Sequence, residues 1–171
     1  MNREKLIAKG KNLQLNISSF GFLFSSIVQY NQSKVKGIHE LEEKLAALGQ
    51  QVGLSVAEML AVKDKYKKET KVLGVLGYIN NSVWRYLFGK SADSLEKSNE
   101  NENEYMIADN NPLISTFIST PKEIAQLNCG SFTAGIIQSI LTGQQFPCSV
   151  TAHSVPEEGY PNRTVLLIKF K

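Results

Sequence analysis

Several shortages narrow what this chain can be. In 171 residues there are two cysteines, two histidines and one tryptophan. Cys129 and Cys148 are too few for the disulfide framework that staples small secreted domains. His39 and His153 are far apart in sequence, and neither has a second ligand at metal spacing. Neither cysteine has a histidine near it in sequence, so the residues spell out no thiol–imidazole pair. No stretch approaches the ~20 apolar residues of a membrane span. Residues 1 to 14, MNREKLIAKGKNLQ, lack the apolar segment of a secretory signal. These readings point to the cytoplasm, where the N-x-[ST] triplets at Asn16, Asn31, Asn80 and Asn162 are chance matches. A strong excess of one charge sign is also lacking. The net charge of +3 and pI near 8.8 are mildly basic and do not require nucleic acid as a partner.

What is present suits one soluble domain. Hydrophobic residues make up 42% and charged residues 20%, enough for a core at this length. Residues 1 to 14, with Arg3, Lys5, Lys9 and Lys11, read as a mobile basic tail. Residues 15 to 171 read as the domain.

The stretch from Leu127 to Phe146 organises the rest. Phe132, Ile136 and Ile140 recur at helical spacing, with Ile137 and Leu141 beside them. Ser131, Gly135, Ser139 and Gly143 form a second stripe of small residues. A glycine inside a helix costs roughly 1 kcal/mol relative to alanine, so close packing should compensate. Three helical stretches are predicted before it. The first, Ile17 to Tyr30, carries Phe20, Leu23, Phe24, Ile27 and Val28 on one face. The second, Ile38 to Leu60, carries Leu41, Leu45, Leu48 and Val52, and Gly49 and Gly53 predict a kink or two short helices. The third runs from about Thr70 to Phe88 and ends at Gly89. Between the second and third lies a basic bend with Lys63, Lys65, Lys67, Lys68 and Lys71.

The second half is richer in strand signals. Ser91 to Asn103 is polar and acidic, Glu104 to Ala108 is a short β-prone run, and together they predict a hairpin turning at Ser98 to Asn103. Thr120, Pro121 and Glu123 mark a helix start with a capping box. Ser149 to Val155 and Thr164 to Phe170 predict a closing pair of strands, the last apolar on both faces and so interior to the sheet. The sum is an α+β domain, an antiparallel sheet packed on a layer of about four helices.

Several motif fragments are weak. Gly89-Lys90-Ser91 lacks the upstream glycine of a phosphate loop and follows its helix instead of preceding it. Cys129 opens the central helix, where the dipole lowers a thiol pKa, but no histidine accompanies it. The basic bend is either a solvated loop or a contact for anionic lipid or an acidic partner. The acidic residues Glu100 to Glu104 read as a solvated turn. The first and third helices are apolar around more than half their circumference, which suggests that another chain covers part of them.

Specific runs carry a resemblance. Phe88-Gly89-Lys90-Ser91-Ala92-Asp93-Ser94-Leu95-Glu96-Lys97 is one, and Asn103 to Ile107 with Asp109-Asn110 and Pro112-Leu113 is another. Gln126 to Cys129, Ala134-Gly135-Ile136, Phe146-Pro147, Val150 to His153 and Ile168-Lys169-Phe170 continue in the same order. From about Leu15 onward the chain resembles the Bet-three-like family of small subunits of the transport protein particle, TRAPP. The resemblance implies four helices on a four-stranded antiparallel sheet, with subunits pairing through their first two helices. The implied interface residues are Phe20, Leu23, Phe24, Ile27, Val28, Leu41, Leu45, Leu48 and Val52. The implied partners are other small subunits, with a Bet-three paralogue bound directly and a sedlin-like subunit nearby, and a Rab GTPase met through the assembled complex. The implied function is a non-catalytic scaffold in a vesicle-tethering Rab exchange factor at endoplasmic reticulum and cis-Golgi membranes. No cofactor is implied. The family's name-giving member carries an acylated cysteine after its second helix, whereas Ala61 to Lys71 here contains none. An apolar small molecule or lipid held in a core channel is the alternative function.

Overall fold

Helical periodicity in the first half becomes a set of packed helices, and the strand signals in the second half become one sheet. The computed structural model describes residues 17–64, 69–99, 101–116, 118 and 127–171. The helices are α1 (Ile17–Gln32), α2 (Ile38–Asp64), α3 (Val72–Tyr78), α4 (Trp84–Phe88), α5 (Leu113–Thr116) and α6 (Gly130–Gly143). The strands are β1 (Ser94–Lys97), β2 (Glu104–Asp109), β3 (Cys148–Ser154) and β4 (Thr164–Phe170). They form an antiparallel sheet in the order β1-β2-β4-β3, so the fold is α+β as the sequence implies. The basic tail, Lys65, Lys67, Lys68, Glu100 and the Thr120 to Glu123 helix start lie outside the described residues.

α6 is the beam. Its apolar side meets one face of the sheet. There Tyr105 opposes Ile168, which opposes Val150, and Ile107 opposes Leu166. All of these are buried, as are Ile136, Ile137, Ile140 and Leu141 on the helix. Each such side chain stabilises the fold by about 1.5–3 kcal/mol. β4 sits between β2 and β3, the interior place its two-sided apolar pattern predicts.

The small stripe of α6 meets α2. A Cβ on Gly135 would overlap the Ala46 carbonyl, and one on Gly49 would overlap the Phe132 carbonyl. At Gly53 the same atom would lie 2.6 Å from Ile136 O. Gly49 and Gly53 therefore do not break α2. It runs unbroken for 27 residues, and the glycines are where a second backbone touches it. By length and mean hydropathy alone, Ile38–Lys63 would pass for a membrane span. This corrects the expectation that no stretch approaches such a span, and 28% of its apolar window is buried inside the fold.

The third predicted helix also differs. α3 and α4 are joined by a π-helical stretch, Ile79–Val83, that buries Ile79 and Val83. Gly89 closes α4 with φ +76° and donates its N–H to Arg85 O at 2.9 Å, a left-handed cap that favours glycine.

Candidate functional site

The nine residues expected at a partner interface fall into three groups. Phe24, Val28, Leu41 and Leu45 are buried in the core of this chain. The Phe24 ring lies 5.2 Å from that of Phe132 and 5.8 Å from that of Phe20. These four side chains are engaged internally, which corrects the expectation that they face a partner. Helical periodicity marks the apolar arc of α1 but not which edge of the arc turns inward. Phe20, Ile27 and Leu48 are half-buried. Leu23 and Val52 reach the surface, with Leu23 61% exposed.

Phe20, Leu23, Phe24 and Ile27 of α1, with Leu48 and Val52 of α2, also line an apolar cavity of about 290 Å³. Leu87 and Phe88 of α4, Ile114 of α5, and Phe132 and Ile136 of α6 complete it. Among the described residues an open apolar pocket therefore lies behind α1, a feature with no signal in the periodicity.

The apolar surface outside this cavity is elsewhere on the same helices. Phe22 is 77% exposed and lies beside Leu23 in sequence. Ile17 and Tyr30 on α1, Leu54, Met59 and Val62 on α2, and Leu73 on α3 are exposed as well.

The remaining candidates are engaged within the fold. Lys90 Nζ binds Asp109 Oδ1 at 2.7 Å and lies 3.5 Å from Asp93 Oδ2, so the Gly-Lys-Ser lysine holds the start of the sheet together. Cys129 and Cys148 are buried free thiols. Burial, with help from the Glu42 carboxylate, pushes Cys129 up to about 11. Burial does the same to Cys148, against the opposing charge of Lys171. Cys129 is thus a buried small residue whose thiol desolvation keeps protonated. Asn128 is a polar clip. Its N–H donates to Glu42 Oε1 at 2.8 Å, and its Oδ1 accepts from Gly130 N at 2.8 Å. Lys63 and Lys71 of the basic bend are exposed, and Lys63 Nζ stands 5.2 Å from the centre of the Tyr86 ring. Among the described residues no cluster of three or more His, Cys, Asp or Glu could hold a metal ion.

The family model described as transport protein particle (TRAPP) component matches residues 20–171. The chain belongs to the TRAPP component family. A TRAPP relative from Dictyostelium discoideum, named trafficking protein particle complex subunit 5, is 52% identical over 170 residues. The match covers 98% of this chain and 90% of the relative. The Homo sapiens protein of the same name is 44% identical over 169 residues, covering 98% and 86%. In fold the chain resembles a crystal structure of trafficking protein particle complex subunit 3 from Naegleria fowleri covalently bound to palmitic acid. That likeness has a TM-score of 0.80 at 16% identity, covering 91% of this chain and 95% of the other. Within the TRAPP family, then, this chain keeps the fold, with an apolar cavity behind α1, and has no cysteine between Ala61 and Lys71.

Proposed function

We propose that this chain is a non-catalytic scaffold subunit of a TRAPP-type vesicle-tethering complex and that it binds a Bet-three paralogue through the outer surface of α1 and α2. The observation that carries this reading is the exposure of Phe22 and Leu23, adjacent large apolar residues on a helix whose other side is buried. An apolar surface of this kind on a small domain is a docking feature. A stable interface built on it buries at least roughly 1,200 Å² in total. A sedlin-like subunit and a Rab GTPase are reached through the assembled complex, which acts as the exchange factor at endoplasmic reticulum and cis-Golgi membranes. The raised thiol pKa values and the pairing of Lys90 with Asp109 support a non-catalytic role, since each reactive group is neutral or engaged. The test is a pull-down with the Bet-three paralogue. Phe22→Asp with Leu23→Asp should abolish capture, and Tyr160→Asp, an exposed change in the β3–β4 connection, should not. Full capture by the double variant would sink the assignment.

The lysines of the basic bend add a peripheral contact with anionic membranes in this reading. Reversing Lys63 and Lys71 together with Lys65, Lys67 and Lys68 should weaken recruitment of the complex to anionic liposomes. Each lysine near such a surface is worth about 1 kcal/mol. Unchanged recruitment would leave the bend a solvated loop.

The 290 Å³ cavity favours a second reading, a lipid or other apolar small molecule held without a covalent bond. Native mass spectrometry of the protein purified from its own cell should then show a mass above that of the chain, lost on denaturation. A bare chain mass would remove this reading and leave the scaffold role standing.

A further inference from the structure

The sheet has two edges, and they differ. β1 is four residues long and carries Glu96 and Lys97, a short charged edge of the kind that resists pairing. β3 is seven residues long, about 23 Å of backbone at 3.3 Å per residue. Its outer side has no strand among the described residues. Val155 N donates to Arg163 O and Lys171 N to Pro147 O, so the odd-numbered residues of β3 bond β4. The alternation of an antiparallel pair then turns the N–H and C=O groups of Val150, Ala152 and Ser154 outward. One is already taken by a side chain: Val150 N donates to Gln138 Oε1 at 3.3 Å. That long bond occupies the place where a strand carbonyl would sit.

This edge borders an open groove of about 720 Å³ between β3, α6 and the first turns of α2. Its floor is small, formed by Ala46, Ser131 and Ala134. Its charged groups are the carboxylates Glu42 and Glu43, accompanied by His39 and His153, and no lysine or arginine lines it among the described residues. Glu42 holds Asn128 N, and Glu43 Oε1 lies 3.4 Å from His39 Nδ1. We propose that the β3 edge is a strand-addition site for an extended basic segment of a partner protein. The segment pairs with Val150, Ala152 and Ser154 and places lysine or arginine side chains against Glu42 and Glu43. Backbone bonding supplies the affinity and the carboxylates the selection, as in other strand-addition complexes.

The probe is an acetylated heptapeptide of alternating lysine and valine added to the full chain, with hydrogen exchange read at single amides. Exchange at Ala152 and Ser154 should slow about tenfold at saturation, and a glutamate–valine peptide should have no such effect. Ala152→Pro removes an outward N–H without removing a bond to β4, so it should abolish the protection at Ser154. Glu43→Gln, at an exposed carboxylate, should weaken the lysine peptide several-fold in an independent variant. Equal protection by the glutamate peptide would overturn the proposal. So would peptide protection confined to Phe22 and Leu23. Protection already present in the full chain and lost on deleting residues 1 to 14 would also overturn it, by making the chain's own segment the occupant.

Discussion

Lys90 belongs to a Gly-Lys-Ser triplet, yet its Nζ lies 2.7 Å from Asp109 Oδ1, and Asp109 is only 4% exposed. The Lys90 side chain is itself partly in solvent, so the pair is screened and worth less than a dry one. Removing the amine still leaves a buried carboxylate with one backbone N–H, that of Asn111 at 3.1 Å. Lys90→Met should therefore cost about 1–3 kcal/mol in urea unfolding at pH 8. Burial pulls the Lys90 pKa down, but Asp109 and then Asp93 more than offset it, and the net shift is upward. A raised amine pKa means the folded chain holds this proton more tightly than the unfolded chain does. Its contribution is complete below the ordinary value of 10.5 and is lost as pH rises through the folded value. Between pH 9 and pH 11.5, wild type should accordingly lose more stability than Lys90→Met. The two thiols give a second prediction at this scale. Held at about 11 by burial, Cys129 and Cys148 should take up no iodoacetamide at pH 8 in the folded chain and one adduct each in urea. Fast labelling of either in the folded state would contradict its placement.

Among the elements, the crossing of α2 and α6 is the most demanding contact. A methyl group on Gly49 or Gly135 would meet backbone carbonyls, which cannot move aside as a flexible side chain can. Gly49→Ala and Gly135→Ala should each destabilise by about 1–3 kcal/mol despite the better helix propensity of alanine. Gly77, at the same chemical level but in α3, has nothing within 4 Å of its would-be Cβ. Gly77→Ala should instead stabilise by about 0.5–1 kcal/mol, so thermal melts of the three variants separate contact from propensity. This crossing also shows what was legible. The cost of glycines inside the Leu127 to Phe146 helix announced a close neighbour, and that neighbour exists. The glycines of α2 predict a kink or two short helices instead, because one helix in isolation does not tell a glycine that ends it from one that admits a second backbone. The two stripes are complementary only once the helices are placed side by side. The π-helical stretch at Ile79–Val83 had no sequence signal at all. The interior position of β4 did, because Val165, Leu166, Leu167 and Ile168 leave neither face polar.

For the whole molecule, the family resemblance and the physics of the surface divide the work. Spacing identified α1 and the helix from Thr70 to Phe88 as over-apolar, and the fold assigns that surplus to three destinations: the core, the pocket behind α1 and the solvent. Only the last is available to another subunit. Phe24 and Leu45 were natural choices for disrupting an interface, but both are buried, so Leu45→Asp places a charge in the core and should unfold the lone chain. Phe22 and Leu23, at 77% and 61% exposure, offer the cleaner separation. A partner that binds only the folded state adds about 2.7 kcal/mol of stability when present at one hundred times its dissociation constant. Wild type should therefore melt at a higher temperature when mixed with a Bet-three paralogue at that excess. Phe22→Asp with Leu23→Asp should melt alone like wild type and gain nothing from the paralogue. Leu45→Asp should melt far lower, or not show a transition, with or without it. If instead the double variant falls in stability on its own, these side chains belong to the fold and not to the contact. The interface would then have to be sought on a different exposed apolar patch of these helices, such as Leu54, Met59 and Val62 of α2.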